Sequence, residues 1–127
     1  MSDPKFYVSK MEIVEFHKTH TPSFSECQAA FGLVGRLQTW YSEMSAVVHG
    51  QVPGVWNAHS AIHEIAFSKP THDRAVAAVM KAEQLSHEIL LCTAGKELWS
   101  GIAPDAKLVL LKGIPGATKA ALALDSK

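Results

Sequence analysis

The sequence has no excess of either charge, because its 12 Lys and Arg residues balance its 12 Asp and Glu residues. A chain without net charge has no global field that would attract a nucleic acid or an anionic membrane. Binding of a nucleic acid would therefore depend on a local patch. Four lysines make the C-terminal region mildly basic, and we interpret them as solvated surface: Lys96, Lys107, Lys112 and Lys119.

Long hydrophobic runs are also absent, since none approaches the ~20 residues that a membrane-spanning helix needs. The first five residues, Met1 to Lys5, lack the basic and then apolar order of a secretory signal. The sequence therefore predicts a cytoplasmic protein with no membrane contact.

Cysteine is scarce: Cys27 and Cys92 are the only two in the sequence. Both fall at apolar positions of helical patterns, where a free cysteine behaves as a small hydrophobe. A reducing cytoplasm disfavours a structural disulfide between them.

What the sequence does contain is helical periodicity. A chain of 127 residues fits one domain, so we expect a single helical domain over residues 1–127, either a whole protein or a domain excised from a longer one. The longest pattern predicts one helix over residues 23–49. Ser23 and Glu26 have the spacing of a capping box at its start, and Gly50 can end it in a left-handed turn.

This predicted helix has few charges, since Arg36 and Glu43 are its only charged side chains between Cys27 and Gly50. A helix with one solvated face normally carries a polar stripe. We therefore expect it to be covered on most sides, in part by a second copy of the chain in a homodimer.

A second long helix is predicted over residues 72–94, ended by Gly95. One apolar stripe of this helix predicts a buried face, and a charged set predicts its solvated side. The apolar stripe comprises Val76, Val79, Met80, Leu90 and Leu91, and the charged set comprises Arg74, Lys81, Glu83 and Glu88.

Shorter helices are predicted over residues 8–19, 58–67, 104–112 and 117–124. For the apolar run Leu108–Leu111 we favour a helix over a strand, because nothing else in the chain offers a strand to pair with. The predicted fold is all-α, an up-and-down bundle of five or six helices with two long antiparallel helices at its centre.

The pattern with most chemical content is Tyr41-x3-Ser45-x3-His49-Gly50. Steps of four residues place Tyr41, Ser45 and His49 on one face of a helix, close to its C-terminal end. Two hydroxyls and an imidazole in this arrangement can form a polar site. The alternative is that they satisfy buried polar atoms between packed helices.

This helix end resembles that of the HEPN superfamily of prokaryotic helical domains. The resemblance implies a helical dimer in a bacterial or phage-borne conflict system, such as defence or toxin–antitoxin. Many members of that family are metal-independent endoribonucleases whose active site pairs an arginine with a histidine that follows it after four to six intervening residues. Here only His49 matches, because Met44, Glu43 and Ser42 occupy the three arginine positions.

Two further sets of residues are candidates. Trp56 and Asn57 follow the helix end, and together with Arg36 they are candidate binding residues around a groove. His59 and His63 have the i, i+4 spacing of a helical metal chelate, although a polar helix face is the alternative. Glycine-rich phosphate loops, dinucleotide fingerprints and zinc knuckles are missing, so we expect neither a nucleotide nor another cofactor.

The sequence thus leaves three hypotheses. The first is a HEPN-like dimerisation and binding module that holds a protein or RNA partner around Tyr41, Ser45 and His49. The second is an endoribonuclease in which His49 is the acid or base and the cation comes from elsewhere, such as Arg36 or Arg74 of a second copy. The third is a metal-binding helical protein that uses His59 and His63.

Overall fold

The structure is a computed structural model that describes residues 8–50, 62 and 66–124. These residues form helices and no strand, which confirms the predicted all-α helical bundle. No helix in this part of the chain is long and apolar enough to cross a membrane. The α-helices are α1 (Lys10–His20), α2 (Phe24–Phe31), α3 (Leu33–Val48), α4 (Lys69–Leu90), α5 (Lys96–Leu98), α6 (Pro104–Leu110) and α7 (Gly116–Ala121); a π-helical turn, Leu91–Gly95, follows α4, and a 3-10 turn, Trp99–Gly101, follows α5.

The stretch predicted as one long helix is two helices, because Gly32 interrupts it. Gly32 has a left-handed backbone with a φ of 59°, and its N–H donates to the carbonyls of Gln28 and Ala29. This is the way in which glycine commonly ends a helix, since it has no Cβ to oppose a positive φ. The helix expected over residues 23–49 is therefore α2 followed by α3.

The start of α2 also differs from the prediction. Ser23 has a φ of 62° and its side chain makes no capping hydrogen bond, so the capping box expected with Glu26 is wrong. A capping box forms instead at the start of α1. There the Ser9 hydroxyl accepts from the Glu12 N–H at 3.2 Å, and the Glu12 carboxylate accepts from the Ser9 N–H at 2.7 Å.

The second long helix begins and ends earlier than predicted. It starts at Lys69, with Pro70 in its first turn, and passes after Leu90 into the π-helical turn. Gly95 does not terminate it, because its φ of −60° and ψ of −44° are helical and the chain continues into α5. A Cβ at Gly95 would lie 3.1 Å from Cδ2 of Leu91, so the Leu91 side chain would have to shift by a few tenths of an ångström to admit it.

The chain divides into two compact units. The terminal unit comprises the described residues up to Val34 and from His87 onwards, and the central unit those between Gly35 and Ser86. In the terminal unit α2 packs against α1, α7 and the π-helical turn, and α5 also packs against that turn. The expectation of a single domain over residues 1–127 stays a prediction.

The described core lies in the terminal unit. Its buried apolar side chains are Phe24, Cys27, Phe31, Leu33, Leu91, Cys92, Leu111, Ile114, Leu122 and Leu124. In the central unit, Leu85 is the one buried side chain among the residues that the structure describes. Of the residues of α3, all of them described, Leu33 is the one that is buried, and the large side chains of Tyr41 and Val48 are exposed.

We predict opposite effects for two glycine substitutions. Gly32→Ala should lower the free energy of unfolding by about 1–2 kcal/mol, because alanine opposes the left-handed backbone. Gly35→Ala should raise it by about 0.5–1 kcal/mol, because Gly35 is helical and a Cβ there meets no atom within 4 Å. Urea unfolding of both variants tests the assignment, and a stabilising Gly32→Ala would contradict the break in the helix.

The capping box predicts a pH dependence. Hydrogen bonds from Ser9, its backbone N–H first, hold the pKa of the Glu12 carboxyl below its ordinary value of 4.5. A lowered folded-state pKa stabilises the protein above the unfolded-state pKa, and this is lost as the pH falls through the folded value. Wild type and Glu12→Gln should therefore differ in thermal midpoint at neutral pH and converge on acidification below 4.5. Glu43→Gln is the control, because it removes an exposed carboxylate of α3 that takes no part in the capping box.

Candidate functional site

The candidate site is the C-terminal end of α3. The His49 N–H donates to the Ser45 carbonyl at 2.9 Å, and the Gly50 N–H donates to the Val47 carbonyl at 3.1 Å. Gly50 has a φ of 64°, so the predicted left-handed end of the helix is confirmed. Because these bonds complete the last turn of α3, they hold the backbone of His49 at a defined position directly after the helix.

The predicted face is accessible in the chain. Tyr41 is 48% exposed and Val48 is 70% exposed. His49 is exposed as well, whereas Ser45 is half-buried. Tyr41, Ser45 and Val48 follow the i, i+4, i+7 spacing of one helix face, with His49 at its edge. Tyr41 and His49 therefore lie on a surface rather than in the interior, which disfavours the alternative that they satisfy buried atoms.

Arg36 lies far from this site within one chain. Arg36 precedes His49 by 13 residues along α3 and the turn that follows it. This separation corresponds to roughly 20 Å along the helix axis. It also precedes Ser45 by nine residues, and at about 100° per residue this places it on the opposite side of the helix. Arg36 and His49 of the same chain are therefore not brought together.

The other predicted site residues lie outside the described part of the chain. These are Trp56, Asn57, His59 and His63. Within residues 8–50, 62 and 66–124, no three His, Cys, Asp or Glu side chains are arranged to hold a metal ion. The described residues therefore form no metal site of their own, and the predicted His59 and His63 pair stays a prediction.

A second exposed apolar surface lies on α4. Val76 is 43% exposed, Val79 69% and Met80 64%, and their i, i+3, i+4 spacing places them on one face. The sequence indicated this stripe, but predicted it as buried. Among the residues that the structure describes this prediction is wrong for these three side chains, although Leu91 from the same stripe is buried. We call Tyr41, Ser45 and Val48 the α3 face, and Val76, Val79 and Met80 the α4 face.

Two charged side chains predicted as solvated are buried. Glu88 is 2% exposed and Lys107 is 5% exposed, both in the terminal unit. Pro104 starts α6, and one turn later the Lys107 ammonium lies 5.2 Å from the centre of the Trp99 ring. An ammonium over an indole face is stabilised by the quadrupole of the ring, which offsets part of the desolvation cost. No sequence signal marked this contact beyond the presence of both residue types.

Glu88 lies close to a pair of thiols. The pKa of the Cys92 thiol is raised first by a hydrogen bond with Cys27, then by burial, and then by the charges of Cys27 and Glu88. The Cys92 thiol is therefore held protonated, which disfavours a nucleophilic role for it in the resting state.

Comparisons of the chain with protein-family models, with curated proteins and with solved structures find no match.

Proposed function

We propose that the chain is a HEPN-like helical dimerisation and binding module of a bacterial or phage-borne conflict system. It associates with a second copy through its central unit, and a partner binds at the edge of that interface, around Tyr41, Ser45 and His49. The observation that supports this is the contrast between the two units. The terminal unit has a full apolar core, whereas the described residues of the central unit bury one apolar side chain and expose the α3 and α4 faces.

Helices of this kind need a covering partner. Even helices as long as α3 and α4, with 16 and 22 residues, derive most of their stability in proteins from packing of an apolar face rather than from helix propensity. Full burial of a Val, Met or similar side chain contributes about 1.5–3 kcal/mol. The α3 and α4 faces together carry several such side chains, so covering them favours association.

A second copy of the chain fits these faces electrostatically. The chain has no formal net charge, so two copies do not repel one another. On α3 itself one positive side chain, Arg36, is balanced by one negative side chain, Glu43. A two-fold interface places the same patch against itself, and a nearly uncharged patch is one that can do so without like charges meeting.

The same charges favour a protein over RNA as the partner around His49. Binding to RNA depends on clusters of Lys and Arg that neutralise phosphates. The helix that presents Tyr41, Ser45 and His49 has no such cluster, because Arg36 lies on its other side. An exposed tyrosine beside an exposed valine is typical of a protein-binding surface.

The dimer predicts a specific effect of charge on the α3 face. Val48→Lys should raise the dimer dissociation constant by about tenfold or more. The reason is that the two-fold interface would then bury two ammonium groups, one from each copy, close to one another. Val109→Lys is a matched control, since Val109 is 53% exposed and also lies in the last turn of a helix, α6. Sedimentation equilibrium over a range of concentrations measures both.

Wild type and Val109→Lys should remain dimeric at concentrations at which Val48→Lys is monomeric. Circular dichroism of the three proteins checks that each is folded. A wild-type chain that stays monomeric at high micromolar concentration would contradict the homodimer. An unchanged dissociation constant for Val48→Lys would place the interface elsewhere.

The alternative is that the module cleaves RNA, and the exposure of His49 is what keeps this candidate. An imidazole can move a proton, but a pentavalent phosphate also needs a positive charge close by. Arg36 or Arg74 of a second copy would have to supply it.

We expect total cellular RNA to remain intact when incubated with wild-type protein in the presence of a chelator. The reason is that no arginine occupies the three positions before His49 at which the family carries one. Gel electrophoresis of the RNA, with His49→Ala alongside, is the measurement. Cleavage by the wild type and not by His49→Ala would establish a metal-independent ribonuclease and overturn the binding role.

A further inference from the structure

The terminal unit brings two distant cysteines together. Cys27 lies on α2 and Cys92 in the π-helical turn, and these two elements pack against one another. The side chains are 5% and 3% exposed, and the two thiols are hydrogen-bonded to each other. Neither cysteine forms a disulfide, so two thiols lie next to one another across these two elements.

The surroundings of the pair limit how fast it can react. Glu88 lies four residues before Cys92, one helical turn away, and is almost fully buried. Since the pKa of Cys92 is raised, its thiol keeps its proton. A reagent must therefore wait for local opening, and the site is slow in the resting state.

The π-helical turn is where such opening is expected. Turns of this kind have wider backbone hydrogen bonding than an α-helix and are frequent at functional sites. Here the Thr93 hydroxyl donates to the Ile89 carbonyl at 2.8 Å, a side-chain bond that competes for the backbone acceptors of the turn. Cys92 is thus held in a π-helical turn rather than in a regular α-helix.

We propose that Cys27 and Cys92 are an oxidisable pair, which hydrogen peroxide converts into a disulfide that joins α2 to the π-helical turn. Cys27 sulfur attacks the peroxide, the O–O bond breaks, and the products are a sulfenic acid on Cys27 and water. Cys92 sulfur then attacks Cys27 sulfur, and the hydroxyl group leaves with the Cys92 proton as a second water. Two thiols are oxidised and one hydrogen peroxide is reduced.

The contact between the thiols decides between a disulfide and further oxidation. A sulfenic acid either condenses with a thiol or reacts again to the irreversible sulfinic acid. Because the Cys92 thiol already touches Cys27, condensation needs no rearrangement of the chain. The product is therefore a reversible bond.

This bond would have a large effect on the chain as a whole. The segment between the two cysteines contains the whole central unit. The disulfide would therefore make the central unit part of one covalently closed loop. Cross-linking residues so far apart in sequence restricts the unfolded chain strongly. The oxidised protein should be the more stable form, with the central unit inside a closed loop.

The test is oxidation of the full chain with hydrogen peroxide, followed by denaturation, alkylation of free thiols and measurement of the intact mass. Wild type should lose two hydrogens and both alkylation sites, and dithiothreitol should restore them. The thermal midpoint of the oxidised protein should rise by about 10 °C over that of the reduced protein.

Cys92→Ser separates the two chemical steps. It should retain a sulfenic acid on Cys27, detected by labelling with dimedone, and show no rise in midpoint. If the wild type gains oxygen atoms in place of losing hydrogens, forms a disulfide between chains, or keeps both thiols after treatment that oxidises free glutathione completely, the proposal is wrong. These results on wild type stand whether or not the serine variant folds.

Discussion

The packing of α2 against the π-helical turn is the interaction on which the described structure depends. It brings Phe24, Cys27 and Phe31 of one helix onto Leu91 and Cys92 of a segment some 60 residues later. Helices α1 and α7 also lie against α2, so its burial positions both ends of the described chain. A helix of eight residues cannot be stable alone, and α2 is helical because its apolar side is covered by these neighbours.

The core that results is uneven, and this unevenness links the fold to the proposed function. In the terminal unit the apolar positions of α2 and the π-helical turn are buried, together with Leu111, Ile114, Leu122 and Leu124. In the central unit the same type of periodic pattern leaves the α3 and α4 faces exposed. A helical period shows that one side of a helix is apolar, but it does not show which chain covers that side. For this reason the homodimer is an inference from the sequence pattern and the exposure taken together.

Local signals in the sequence predicted which segments are helical better than they predicted the residues at which each helix begins and ends. Gly50 and Gly32 both adopt a left-handed backbone, but only Gly50 was predicted to end a helix. Gly32 lies inside an unbroken apolar period, and that period gives no sign that the helix breaks there. Ser9 and Ser23 are each followed by a glutamate three residues later, yet only Ser9 caps. The tight turn after α1, in which the Phe24 N–H donates to the Thr21 carbonyl at 3.2 Å, forces Ser23 into a left-handed conformation from which its hydroxyl cannot cap.

The burial of Glu88 and Lys107 shows where composition-based prediction fails. Both were assigned to the solvated surface, since charged side chains are rarely buried without partners. Lys107 is buried because the short helix α6 places it over Trp99, and Glu88 because it is one turn before Cys92 in the segment that packs against α2. In contrast, the face of Tyr41, Ser45 and His49 was predictable, since it depends only on the period of one helix and on the glycine that ends it. A buried charge depends on contacts between elements that are distant in sequence, and such contacts are set by the packing of the terminal unit rather than by any local motif.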